Sequence, residues 1–260
     1  MIKALVNWNW ESFDDDELQP GTGSFSFGYG LYETFRTKNY KPIFLNQHLR
    51  RLFNSAETIN LKITYSCSEI GKMIYTVING FHEKDQRVRI IAVPEKVIIY
   101  TTALNFDEKI YEGISTLTVS TQRDNPKVKT TDYTNCLDAY KIAQNKNCFD
   151  AILIDDKNQV LEGSRSNIFW IMNNSLFTRK DNVLPGITRQ MIIEKSPYPI
   201  VYDHLNIFDF KRLDELFLTN SGSGIIPVSK IDSTLIGKAC PGSITIKLLK
   251  LYDSWVRKTV

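Results

Sequence analysis

The chain has 260 residues, 42% of them hydrophobic, with 32 Lys and Arg against 29 Asp and Glu and a formal net charge of +3. That length can bury one large core or two modest ones. The mixed charges give no electrostatic case for nucleic acid or an anionic membrane as partner, and no apolar run approaches a membrane span. Cys67, Cys136, Cys148 and Cys240 are scattered without a CxxC pair, which fits reduced thiols in a cytoplasmic protein. His48, His82 and His204 are far apart, so no metal cluster is expected.

Met1 to Trp8 reads as a first strand, not a signal peptide. Residues 1–44 read as β throughout. Phe25-Ser26-Phe27 alternates, Gly28-Tyr29-Gly30 permits a bend, Leu31 to Arg36 continues as a strand, and Asn39 with Lys41-Pro42 predicts a hairpin turn. Asn46 is a candidate cap for a helix carrying Leu49, Leu52, Phe53, Ala56 and Ile59 at helical spacing. A second helix is predicted over Ser68 to Phe81, then paired strands at Val88–Val93 and Lys96–Thr102. The reading is a smaller N-terminal α+β domain over 1–115, a linker at 116–126 and a larger β-rich C-terminal domain over 127–260.

In the second domain a helix is predicted over Asp138 to Asn147. A strand at Ala151–Ile154 follows, then an Asp155-Asp156-Lys157-Asn158 turn and a second apolar run from Ile168 to Ile171. Between those runs lies Glu162-Gly163-Ser164-Arg165-Ser166-Asn167. A carboxylate there sits amid β segments, where burial demands a partner. Leu184-Pro185-Gly186 reads as a turn with Thr188 capping a helix from Arg189 to Lys195. Leu213 to Thr219 reads as a strand running into Asn220-Ser221-Gly222-Ser223-Gly224, and Ser243 as the cap of a last helix.

Gly186-Ile187-Thr188 places a turn and a hydroxyl at a helix start, where unpaired N–H groups and the helix dipole favour a phosphate. Ser221-Gly222-Ser223-Gly224 can form a second anion nest after a strand. A lysine whose amine is lowered in pKa by burial or a nearby cation forms a Schiff base with a carbonyl. Sequence spacing alone does not choose between Lys127 and Lys129.

Together these blocks resemble the class IV aminotransferases, the pyridoxal-phosphate enzymes of fold type IV. That family spans branched-chain and D-amino-acid aminotransferases and 4-amino-4-deoxychorismate lyase. The resemblance covers nearly the whole chain in order: Phe27 to Thr34, His48-Leu49-Arg50-Arg51-Leu52, Lys129-Thr130-Thr131, Glu162 to Phe169, Leu184 to Arg189, and Leu218 to Val228. It implies an α/β (α+β) fold type IV chain of two domains, similar to D-amino-acid aminotransferase, with the cofactor between them and a homodimer whose partner closes each site. It implies pyridoxal 5'-phosphate as cofactor, Lys129 as the Schiff-base lysine and Glu162 as the carboxylate facing the pyridine nitrogen. Arg51 matches the phosphate arginine, and Ile187, Thr188, Ser221 and Gly222 the phosphate cradle. Tyr133, Ser166 and Asn167 join the cofactor-binding set, and Tyr32 lines the substrate side.

The implied activity moves an amino group between an amino acid, branched-chain ones included, and a 2-oxo acid. The alternatives are the aminodeoxychorismate lyase, which forms 4-aminobenzoate and pyruvate, and a non-catalytic binding module, against which intact Lys129 and Glu162 argue. Three blocks depart from the family patterns. Gly28-Tyr29-Gly30 replaces Gly-Asp-Gly, Thr130-Thr131-Asp132-Tyr133 replaces the Gly-Gly-Asn-Tyr of branched-chain enzymes, and Pro94-Glu95-Lys96 stands where D-amino-acid enzymes carry Arg-x-His. Arg36, Arg89 and Arg165 are each able to hold a substrate carboxylate bidentately.

Overall fold

The computed structural model describes residues 1–105 and 107–259. Strand β1 (Ile2–Val6) turns at Asn7-Trp8, both with positive φ, into β2 (Asn9–Phe13), the backbone twist a two-residue hairpin requires. Strands β3 (Leu31–Lys38) and β4 (Lys41–Pro42) form a second hairpin, and β5 (Gln86–Val93) and β6 (Lys96–Ala103) a third. They assemble into one antiparallel sheet of order β2-β1-β6-β5-β3-β4.

Helices α1 (Leu45–Thr58) and α2 (Cys67–Asn79) carry Leu49, Leu52, Ala56, Ile70, Met73, Ile74 and Val77 into a core shared with Leu31, Phe35, Val88, Ile90 and Ile99. That period-2 set is one face of the sheet. The opposite face holds Tyr32, Ile91, Ile98 and Tyr100. Residues 14–30 contain no strand, so the expectation of β structure at Phe25–Phe27 is corrected: the two rings pack against each other in a loop instead. Asn46 does not cap α1 either; Phe44 holds that position in a left-handed conformation without a side-chain cap. Ser66 caps α2 through a full capping box with Glu69.

The second sheet has nine strands: β7 (Ile114–Ser120), β8 (Asp150–Ile154), β9 (Val160–Gly163), β10 (Asn167–Met172), β11 (Ser175–Thr178), β12 (Ile200–Tyr202), β13 (Glu215–Asn220), β14 (Gly224–Ile231) and β15 (Thr234–Leu235). Their order is β12-β11-β10-β13-β14-β7-β8-β9, with β15 on β14; β7 runs parallel to both β14 and β8. Its helices are α3 (Thr134–Asn145), α4 (Ile187–Lys195) and α5 (Ser243–Arg257). Glu215 on β13 accepts the Ile244 and Thr245 N–H groups at 2.9 and 2.8 Å and so closes the start of α5, the role expected of Ser243.

By contacts the chain divides into two units: Met1–Asn105, Val128–Thr134 and Val256–Val260 make the first, Phe106–Lys127 and Asn135–Trp255 the second. Residues 116–120 of the expected linker, where Leu117–Ser120 also reads as a strand, lie in strand β7 of the second unit, and Val128–Thr134 belongs with the first.

Candidate active site

In the first unit, Lys129 lies on a short segment laid against the start of β3. The Tyr32 N–H donates to the Lys129 carbonyl at 3.0 Å, and the Thr131 N–H to the Gly30 carbonyl at 2.9 Å. The Gly30 N–H donates in turn to Thr131 Oγ1 at 2.8 Å. A Cβ on Gly30 would come within 2.2 Å of the Ala92 carbonyl, so only glycine lets this bend approach β5. The backbone of Lys129 is thereby fixed from both sides. Its Nζ stands 4.1 Å from the Tyr32 ring centre, and Tyr133 packs edge-on against Tyr32 at 5.7 Å. Lys129 is half-buried, whereas Lys127 is exposed and belongs to the second unit.

Arg51 lies on α1 with its side chain 10% exposed, and its Nε and Nη2 donate to the two oxygens of Glu33, each at 2.7 Å. Arg50 is exposed. His48 Nδ1 makes a third bond to Glu33, at 2.8 Å. Burial alone would raise the Glu33 carboxyl; the charge of Arg51 and the His48 and Arg51 hydrogen bonds outweigh it and hold it at about 2. Burial pushes His48 below its ordinary value against the pull of Glu33, with the Arg51 and Lys129 charges adding to the depression.

On the face of β3 that carries Tyr32 stand Thr34 and Arg36, paired in register with Arg89 and Arg87 of β5. Arg89 donates to the Tyr100 hydroxyl at 3.2 Å and to Thr34 Oγ1 at 3.4 Å. Arg36 and Arg89 thus share a face with Tyr32. Arg165 is exposed in the second unit, its guanidinium 3.5 Å from the Tyr140 ring centre.

In the second unit, Glu162 ends β9 at 2% exposure. Its Oε1 accepts from Arg123 Nε at 3.1 Å, and its Oε2 from Asn167 Nδ2 at 3.1 Å and the Leu184 N–H at 3.0 Å. Asn167 Nδ2 also donates to the Leu184 carbonyl at 2.8 Å. Asn167 therefore ties the carboxylate to the turn that opens α4. A Cβ on Gly186, which precedes α4, would stand 2.0 Å from Asn167 Oδ1, so glycine is required for this approach.

Helix α4 begins at Ile187 with Gly186 as its cap and no capping side chain, so Thr188 lies inside the first turn instead of capping it. Its Oγ1 is buried without a hydrogen-bond partner. The Oγ1 of Thr219, which faces Asn167 across the β10–β13 ladder, is buried and unpartnered in the same way. Beyond it, Asn220 Oδ1 accepts the Ser223 N–H at 2.7 Å and closes the Ser221-Gly222 turn. Ser166 is directed elsewhere: its hydroxyl donates to Asp150 at 2.9 Å, and Ser164 bonds the same carboxylate.

Arg123, Glu33, His48 and Asp150 were not among the sequence candidates. Arg123 stands in a polar stretch and meets a partner 39 positions away, which no local pattern announces. Glu33 did carry a signal: it occupies the inward parity of a strand between Leu31 and Phe35, where an acid needs a cation.

Buried hydroxyls lacking acceptors and donors beside a helix start fit a phosphate, which brings acceptor oxygens to both. The Glu162 carboxylate, with three donors already on its oxygens, has room for one further N–H. These donor sets stand on a mixed α/β chain of two sheets. The amino-transferase class IV family matches residues 30–231. A Methanocaldococcus jannaschii protein assigned as a branched-chain-amino-acid aminotransferase is 29% identical over 96% of this chain and 95% of its own length. A D-alanine aminotransferase of Listeria monocytogenes is 28% identical over the same shares. A solved Thermotoga maritima structure assigned as a branched-chain amino acid aminotransferase aligns with a TM-score of 0.86 at 25% identity, over 98% of this chain and 96% of that one.

The chain belongs to the class IV aminotransferase family, and is an enzyme of the transferase class. The aminotransferase names of these relatives do not favour the lyase alternative. No described helix is long and apolar enough to cross a membrane.

Proposed function

We propose that this enzyme transfers the amino group of a branched-chain amino acid to a 2-oxo acid with pyridoxal 5'-phosphate as cofactor. When bound, that group supplies the electron sink that lets the α-proton of an amino acid leave. Lys129 would hold the cofactor's aldehyde carbon through Nζ, and the same amine would carry the substrate's α-proton. Glu162 would accept the ring N–H and by its charge favour the protonated ring. Thr188, the N–H groups opening α4, Ser221, Gly222 and Arg51 would hold the phosphate. Tyr133 would donate to the phenolic oxygen, and Asn167 would keep Glu162 oriented.

The observation that carries this reading is the environment of Glu162: a buried carboxylate held by Arg123, Asn167 and the Leu184 N–H, in the unit where Thr188 and Thr219 leave two buried hydroxyls unpaired. Tyr32, Arg36 and Arg89 form the substrate face, where Arg36 or Arg89 receives a carboxylate. Pro94-Glu95-Lys96 in place of an Arg-x-His clamp supports a branched-chain donor over a D-amino acid, as do the relatives assigned to branched-chain substrates. The enzyme acts in the cytoplasm as a homodimer, which light scattering of the purified protein tests.

The purified holoenzyme is expected to be yellow, and borohydride to bleach it and tie the cofactor to Lys129. L-Valine or L-leucine is expected to convert it to the pyridoxamine form. Conversion by D-alanine alone would reassign the donor, and a colourless chain that takes up no cofactor would overturn the reading.

A further inference from the structure

An acid on the helix-facing side of β3 is an unusual choice. Leu31 and Phe35 flank Glu33 on that face, Ile90 pairs with it in register, all three belong to the core shared with the helices, and Glu33 itself is 1% exposed. A buried ion pair at such a place is a poor source of stability, since apolar residues of similar volume pack there equally well or better. Its geometry is nonetheless highly specified. Both Glu33 oxygens accept from Arg51 at 2.7 Å in the parallel two-bond form that fixes a guanidinium plane. His48, one turn earlier on α1, adds a bond at 2.8 Å to the oxygen that Arg51 Nη2 uses. The His48 ring is in turn packed on Phe35 at 5.1 Å. A strand, a helix and an aromatic ring therefore converge to hold one arginine side chain.

Adjacency explains why that matters. Tyr32, the neighbour of Glu33 on β3, donates its backbone N–H to the Lys129 carbonyl, and the Lys129 charge is felt at His48. One strand thus fixes the lysine through Tyr32 and the arginine through Glu33. A long, flexible side chain such as Arg loses rotamer freedom when ordered. Glu33 imposes that ordering before any ligand arrives.

We propose that Glu33 is a positioning residue that orients Arg51 toward the cofactor's phosphate, with His48 locking the carboxylate in place. This rests on the reading of Arg51 as a phosphate ligand. Glu33 itself touches neither cofactor nor substrate. Its contribution is confined to the phosphate end, so a ligand without phosphate is indifferent to it.

The test uses the full-length apoprotein, titrated with pyridoxal 5'-phosphate and with pyridoxal. In Glu33→Gln, affinity for pyridoxal 5'-phosphate is expected to fall about tenfold or more while pyridoxal binds within about twofold of wild type, the size of effect one charged hydrogen-bonded contact carries. Combining Glu33→Gln with Arg51→Ala is expected to add nothing to Arg51→Ala alone. A merely structural Glu33 would weaken both ligands alike. If Glu33→Gln does not fold, Glu33→Asp draws the carboxylate back by one methylene and is read by the same ratio. Arg51→Ala lowering the ratio while the Glu33 variant keeps the wild-type value overturns the proposal. Arg51→Ala leaving the ratio unchanged sinks the phosphate reading of Arg51 itself, and the proposal with it.

Discussion

Arg123 donates from Nε to Glu162 Oε1 across 3.1 Å, with the two side chains 5% and 2% exposed. The pair is separated by 39 positions in sequence and joins the loop after β7 to the end of β9. Removing the cation leaves a buried carboxylate with neutral donors only. Arg123→Met is therefore expected to destabilise the fold by about 3–5 kcal/mol, measured by urea unfolding at neutral pH. A change inside error would mean that the pair is not buried as described.

Glu33 predicts an acid-sensitive term. Its carboxyl is held at about 2 against an ordinary 4.5, so the unfolded chain binds its proton first as pH falls. The contribution is fully present above pH 4.5 and is lost as pH drops from there through about 2; a shift of that size corresponds to roughly 3 kcal/mol. His48, depressed by burial, acts from a higher pH. Below about 6.5 the unfolded chain takes up a proton that the native ring resists, and stability falls. Glu33→Gln should flatten the acid limb of unfolding free energy between about pH 4.5 and 2, the window in which Glu33 titrates. A limb as steep as wild type would locate the titrating groups elsewhere.

Thr188→Val is expected to act in opposite directions on two measurements. Deleting a buried hydroxyl without a partner removes a desolvation cost, so the apoprotein should melt at the same temperature or higher, a gain of up to about 1 kcal/mol. Affinity for pyridoxal 5'-phosphate should fall, by about tenfold for a hydrogen bond to a charged group. Loss of apoprotein stability together with unchanged affinity would mean that the hydroxyl serves the helix alone.

Gly186→Ala brings a methyl to within 2.0 Å of Asn167 Oδ1. Asn167 must then swing away from Glu162 and Leu184, or the turn must open. A cost of about 1–3 kcal/mol in unfolding free energy is expected for the overpacking, with weaker retention of cofactor on gel filtration. A variant of wild-type stability and retention would show that the turn yields freely.

Part of the proposed site rests on local features of the chain. The Glu162 block and the Gly186-Ile187-Thr188 start combine residue types whose chemistry is that of a turn and a helix N-terminus, whereas Lys129 was singled out by resemblance alone. Helical spacing on α1 placed the core residues Leu49 and Leu52 correctly, because hydrophobic periodicity is a property of consecutive residues. What tertiary structure alone decided was the pairing of charges. Arg123 came to Glu162, Arg51 and His48 to Glu33, and Ser166 to Asp150. Thr188 moved from cap to unpaired buried hydroxyl, since Gly186 could approach Asn167 and begin the helix earlier. The physical reason is common to all of these. A charged group's partner is chosen by distance and desolvation in the folded state, and neither quantity exists until strands far apart in sequence are laid side by side.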